Sequence, residues 1–166
     1  MADAQTSPKV TFLSRPHGLA RLGFRLPVML YRLHLGWILD HRFLLLTHRG
    51  RVSGFPRQTV LEVVRYDAAR RVYTVVAGFG PTSDWYRNLQ AHPAIEVRCA
   101  LQRFRPVQRF LSPVEGAEML SWYERHHPRA MRMLVRLFRY HYDGTDASRL
   151  ALATALPMVS FRRQDT

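Results

Sequence analysis

Lysine is nearly missing from this sequence. Lys9 is the only one, although lysine and arginine together number 25 against 12 acidic residues, so arginine carries almost the whole formal charge of +13. A field of that sign attracts phosphates, polycarboxylates, nucleic acid or an anionic membrane surface, and it is silent about fold. A GC-rich genome gives the same arginine bias without a chemical reason. Cysteine is as scarce: Cys99 stands alone, which excludes an intramolecular disulfide and a cysteine-built metal cluster and makes a reducing compartment the expectation. Residues 1–8 are polar and lack the apolar stretch of a signal peptide. Uninterrupted hydrophobic runs are also missing. Residues 26–46 are rich in apolar side chains, but Arg32, His34, Asp40, His41 and Arg42 break them, so no spanning helix is expected. A soluble, cytoplasmic protein follows as the expectation. There is no internal repeat, low-complexity tract, nucleophile elbow, P-loop or dinucleotide fingerprint. His126, His127 and His141 lack a carboxylate or cysteine partner at metal-ligand spacing, so no metal is expected.

What is present is enough for a core. A chain of 166 residues, 47% of them hydrophobic, is expected to form one domain over residues 16–166 behind a flexible stretch at 1–15. Leu19, Leu22, Leu26, Met29, Leu30, Leu33 and Ile38 recur at helical spacing over residues 18–39, with Arg21, Arg25 and Arg32 between them and Pro27 as a kink. Such a basic amphipathic helix either packs on the rest of the domain or lies on a membrane interface. Strands are expected at residues 43–47, 58–66 and 72–77, the last two joined by a turn at Asp67-Ala68-Ala69-Arg70. Thr82 or Ser83 can cap a short helix ending at His92-Pro93. Strands at 95–100 and 106–111 follow, with a turn at Gln102-Arg103. Ser112-Pro113-Val114-Glu115 combines a capping serine, proline at the first helical position and a capping-box glutamate, and opens a helix to His126. A second helix is expected from Pro128 to Tyr140, a third at 147–155, and a last strand at 157–162. Arg129, Arg132, Arg136 and Arg139 share one helical face opposite Met131, Leu134 and Phe138, either a solvated face or one for an anionic partner. Hairpin-linked strands with helices at the periphery give an α+β class, mainly β, with an antiparallel barrel.

The most informative stretch is Leu44 to Asn88. It contains Gly50-Arg51-Val52-Ser53-Gly54-Phe55-Pro56-Arg57, then Gly78-Phe79-Gly80, then Asp84-Trp85-Tyr86-Arg87-Asn88-Leu89. Two polar, Gly-rich segments interrupt strands where backbone N–H groups and arginines could converge on an anion. The first alone is equally a solvated hairpin with charged ends. The three together resemble the nitroreductase family of deazaflavin-dependent oxidoreductases, small split β-barrels that bind coenzyme F-420. The likeness covers residues 43–111 and the closing strand at 157–162. The helical region at about 113–155 includes an insertion, 129–155, to which nothing specific carries over.

This resemblance implies a split antiparallel β-barrel, FMN-binding-like, with peripheral helices. It implies an F-420-dependent reductase that transfers a hydride to a small organic acceptor such as a quinone, nitroaromatic or enone, with the difficult chemistry supplied by the coenzyme. The phosphodiester and oligoglutamate tail would be held by Arg51, Ser53, Gly54 and Arg57, arginine suiting such groups by its planar fork. Relatives often have lysine where Val52 stands, and His48 and Arg49 would supply the missing charge. Ala77, Gly78 and Phe79 would offer backbone N–H groups to the ring, Trp85 a packing surface and Asn88 a polar contact, although Trp85 and Leu89 suit ordinary core packing equally well. Tyr86, Tyr123 and His127 are the candidate contacts for acceptor or proton. An actinobacterial host, a homodimer and peripheral attachment to the inner face of the membrane are further expectations of the likeness. Two alternatives stay open: an FMN- or haem-binding barrel of the same fold, and a basic module for nucleic acid or membrane surfaces. Nucleic acid is the less expected partner, because no RNA-binding sheet motif is present.

Overall fold

The computed structural model describes residues 41–137 and 142–164. The segment expected to be flexible, the helix expected at 18–39, and Phe138, Arg139, Tyr140 and His141 lie outside those residues. Strand β1 (Phe43–Arg49) carries three consecutive buried leucines, Leu44, Leu45 and Leu46. A run buried on both faces belongs in the middle of a sheet. β1 pairs antiparallel with β2 (Pro56–Asp67) on one side, Leu44 opposite Leu61. On its other side lies β4 (Glu96–Cys99), with Leu46 opposite Val97. A register shift between Val63 and Arg65 bends β2 and hands it on to β3 (Val72–Val76), which in turn pairs with β7 (Met158–Arg163). With β5 (Gln102–Phe104) and β6 (Pro106–Phe110) at the edges, the order is β5-β4-β1-β2-β3-β7-β6, antiparallel throughout.

The two edge strands, β5 and β6, are separated in the chain by Arg105 alone. The edges therefore have to meet, and the sheet curls into a nearly closed split barrel, as expected. Its interior is packed with Leu44, Leu46, Tyr73, Val75, Val97 and Phe161. Burying a side chain of this size stabilises the fold by about 1.5–3 kcal/mol.

Among the described residues, four helices lie outside. Helix α1 (Asp84–Ala91) follows a short 3-10 turn at Gly80–Thr82. α2 (Pro113–His126), α3 (Pro128–Leu137) and α4 (Asp146–Ala155) enclose a second core of Leu120, Met131, Leu152, Leu156 and Met158. α2 and α4 approach closely at Gly116, where a Cβ would lie 3.0 Å from that of Ala153. The capping box of α2 is formed as expected: the Glu115 amide donates to Ser112 Oγ, and the Ser112 amide donates to Glu115 Oε2 at 2.8 Å.

Two local expectations need correction. Gln102-Arg103 is not a turn but the start of β5; the reversal comes earlier, at Ala100-Leu101, where Ala100 adopts φ 49°. That shift lets Phe104 pair with Val97 and enter the interior. Ser83 stands at the N-cap of α1 without capping it through its side chain, since its hydroxyl donates to the Gly80 carbonyl at 2.8 Å; that of Thr82 donates to Phe79.

Candidate functional site

The β1–β2 turn is folded onto α1. The Gly50 amide donates to the Phe55 carbonyl at 2.9 Å and the Gly54 amide to the Gly50 carbonyl at 2.8 Å, and Gly54 takes φ 70°, which favours glycine. The Arg51 amide leaves the turn and donates to Asn88 Oδ1 at 3.0 Å. Arg51 Nη1 reaches the same oxygen at 3.0 Å, and Nη2 pairs with Asp84 Oδ1 at 3.1 Å. Asn88 is buried, and its Nδ2 lies 3.1 Å from His48 Nδ1. Strand, turn and helix are thus joined through Arg51 and Asn88.

Between them is a cavity of about 260 Å³ lined by Gly50, Arg51, Val52, Ser53, Arg57, Asp84 and Asn88. Arg57 Nη2 donates to Ser53 Oγ at 3.4 Å across its mouth. Gly50 leaves room that a side chain would take from its neighbours: a Cβ there would stand 2.6 Å from Ser53 Oγ and 2.9 Å from Arg57 Nε. The Val52 and Ser53 amides have no partner among the described residues. Two arginines, two open amides and a hydroxyl on a turn form a donor set for phosphate or carboxylate. Asp84 is the one carboxylate on the wall, and Arg51 faces it.

The other residues expected here are placed as follows. Arg49 is exposed at the end of β1, opposite Pro56. His48 is buried, and loss of solvation is the main reason its pKa falls below the ordinary value, with Arg57 adding to the fall. The neutral ring therefore brings no charge to the turn near neutral pH. The Ala77 amide donates to the Pro157 carbonyl at 2.9 Å and the Gly78 amide to the Val76 carbonyl at 3.1 Å, so a ligand would compete with bonds within the chain there. Phe79 and Gly78 are half-buried. Trp85 lies in the barrel core, edge-on to Tyr86 at 5.9 Å, and Tyr86 is edge-on to Phe110 at 5.4 Å.

Tyr123 and His127 do come together. Their rings are 5.0 Å apart, on the wall of a second cavity of about 380 Å³ that also takes in His41, Tyr66 and Trp122. His41 stacks on Tyr66 at 4.2 Å, and Arg65 sits 4.6 Å from the Trp122 ring. Nothing in the local sequence marked Tyr66, Trp122 or His41 for this place, because β2 and α2 meet only through the tertiary fold. Burial raises the Tyr123 pKa, so its hydroxyl keeps its proton at neutral pH. This cavity borders the start of β1, and the Gly50 turn follows its end. The strand between them, seven residues at about 3.3 Å each, rises roughly 23 Å in all.

On α3, Arg129, Arg132 and Arg136 face outward and Met131 inward. Among the described residues no helix is long and apolar enough to cross a membrane.

Residues 29–135 match the sequence family described as F420H(2)-dependent quinone reductase. No curated protein matches the chain. Among solved structures, it is similar to an F420-H2 dependent reductase (FDR-A), with 20% identity over 75% of this chain and 96% of that one and a TM-score of 0.49. It is also similar to HutZ from Vibrio cholerae, with 11% identity over 82% of this chain and 92% of that one and a TM-score of 0.47.

Proposed function

This chain belongs to the F420H(2)-dependent quinone reductase family, an oxidoreductase family whose coenzyme is F-420, and we propose that the turn at residues 50–57 holds the coenzyme's phosphodiester and oligoglutamate tail in the service of quinone reduction. The observation that carries this reading is the cradle itself. Gly50 leaves room where any side chain would intrude, and Arg57, Ser53 and the open amides of Val52 and Ser53 surround that room.

The reduced coenzyme, when bound, supplies hydride to the acceptor. What this chain supplies is position, charge and a proton. Arg57 faces the anion directly, the Ser53 hydroxyl being its one side-chain partner among the described residues. Arg51 acts more through its grip on Asn88 and Asp84, which keeps the turn against α1. The half-buried loop of Gly78 and Phe79 and the wall near Trp85 and Asn88 would border the planar ring. A quinone that takes hydride also takes a proton. Tyr123 and His127 would give one: they share the wall of the aromatic cavity, whose Tyr66 and Trp122 rings suit a flat acceptor. Tyr86 lines none of the cavities described here and packs between Trp85 and Phe110.

The test is oxidation of reduced F-420 in the presence of a short-chain, water-soluble quinone or a nitroaromatic of similar size. The reading predicts protein-dependent turnover with the quinone preferred, and about a tenfold higher KM for the coenzyme in Arg57→Ala at nearly unchanged kcat. Oxidation no faster than in buffer would contradict it.

A further inference from the structure

The Arg51 side of the cradle hangs on a relay that begins at a buried histidine. Asn88 Oδ1 receives two N–H groups from Arg51, the backbone amide and Nη1, both at 3.0 Å. Two donors converging on one atom identify it as the oxygen, so the amide nitrogen is the group facing His48 Nδ1 at 3.1 Å. Nδ1 must then accept, which leaves the ring proton on Nε2, directed at Thr59 Oγ1 3.4 Å away. The network thus fixes the tautomer.

We propose that His48 is a positioning residue for the anion cradle: its Nδ1 lone pair orients the Asn88 amide, and Asn88 in turn sets Arg51 and the first residues of the turn. The proposal rests on the coenzyme reading above for its functional consequence. His48 itself is 2% exposed and lines no wall of the cavity, so it acts through Asn88 and not on the ligand.

Protonation would place an N–H against the Asn88 N–H groups. The amide would have to turn or withdraw, and its oxygen would leave Arg51. The surroundings bear on when that happens. On β2, Arg57 opposes a charge on His48; on α1, Asp84 favours one, as does the hydrogen bond with the Arg49 backbone. Arg51 in the turn is a further cation, and on β4 Glu96 is already claimed by Arg98 and Arg103. Burial outweighs these favourable contacts, so the neutral ring persists below the ordinary histidine value of about 6.5. The cradle is intact at neutral pH, and coenzyme affinity falls as pH drops through the folded-state pKa of His48.

Three proteins test this: wild type, His48→Asn, whose Oδ1 keeps an acceptor near the Nδ1 position but cannot titrate, and His48→Leu, which has no acceptor. Two readouts are needed. In the protein without coenzyme, NMR follows the Arg51 amide and Asn88 side-chain signals against pH. Fluorescence follows binding of oxidised F-420 at about pH 7.5 and at a pH about one unit below the His48 midpoint that the NMR titration gives. Wild type should lose roughly tenfold in affinity at the lower pH, His48→Asn should hold within about threefold of the neutral wild-type value at both, and His48→Leu should be roughly tenfold weaker at both. Protonation of the coenzyme is common to all three and cancels in the ratios. A wild-type profile parallel to that of His48→Asn, or His48→Leu binding as wild type does, overturns the proposal. If none of the proteins binds F-420, the coenzyme reading fails, and the NMR signals alone decide for His48. Arg51 and Asn88 signals that move with the ring titration in wild type and stay still in His48→Asn support it; signals that stay still in both refute it.

Discussion

On the proposed reading, Gly50 and the two arginines of the turn divide the work of holding the anion. A methyl group at Gly50 meets the hydroxyl of Ser53 and the Nε of Arg57, both movable side-chain atoms, so Gly50→Ala should fold nearly as wild type does while displacing the groups that face the anion. We expect at least a tenfold loss in F-420 affinity with a melting temperature within a few degrees of wild type, measured by titration and calorimetry. Arg51 and Arg57 should differ in the opposite sense. Arg57→Ala removes an exposed charge and should weaken binding alone. Arg51→Ala takes one of the two donors from the oxygen of buried Asn88, while the backbone amide keeps its bond to it, so it should lower stability by about 0.5–1.5 kcal/mol as well. The Arg51–Asp84 pair adds little to that figure, because the Asp84 carboxylate is more than half exposed. Equal melting temperatures for the two arginine variants would show that Arg51 has no structural share. Sequence reasoning reached Arg51, Arg57 and Asn88 through their motif, but it could not show that Arg51 and Asn88 bond to each other, since they lie 37 residues apart. It enlisted His48 as added charge, and the fold instead makes it a neutral, buried acceptor.

Elements with local signals were legible, and those set by long-range pairing were less so. The α2 start is written in four residues, 112–115, and is formed as written. Its Glu115 carboxyl is held down to about 2, first by the Ser112 amide and then by Arg109 and the Ser112 hydroxyl. Its contribution is therefore present above the ordinary glutamate range and is lost as pH falls toward that value. Ser112→Ala should cost about 1 kcal/mol, read as a few degrees in melting temperature at neutral pH, while F-420 affinity is unchanged. A loss of affinity in that variant would mean that α2 reaches the coenzyme more directly than the fold suggests. β5 was missed for the opposite reason. Gln102-Arg103 has the composition of a turn, and only the demand that Phe104 face Val97 inside the barrel makes it a strand. Ser83 illustrates the same limit, since the 3-10 turn before α1 takes its hydroxyl away from the helix.

At the scale of the whole molecule, the barrel places the proposed anion cradle and the aromatic cavity at the two ends of β1. The arginine excess of the sequence pointed to an anionic partner without naming it, and the fold concentrates two of those arginines, Arg51 and Arg57, around one cavity. The barrel itself was legible from hairpin spacing, because strands 43–49, 56–67 and 72–76 follow one another with short connections. The aromatic cavity was not, since its walls come from β2, α2 and the residues before β1, and no local pattern links them. The measurement that bears most directly on the whole account is a side-by-side titration of the purified protein with oxidised F-420 and with FMN, followed by fluorescence at low and at moderate salt. The account predicts saturable binding of F-420 that weakens with salt, as expected for a tail held by arginines, and much weaker binding of FMN. Absence of F-420 binding, or FMN bound as tightly, would contradict it.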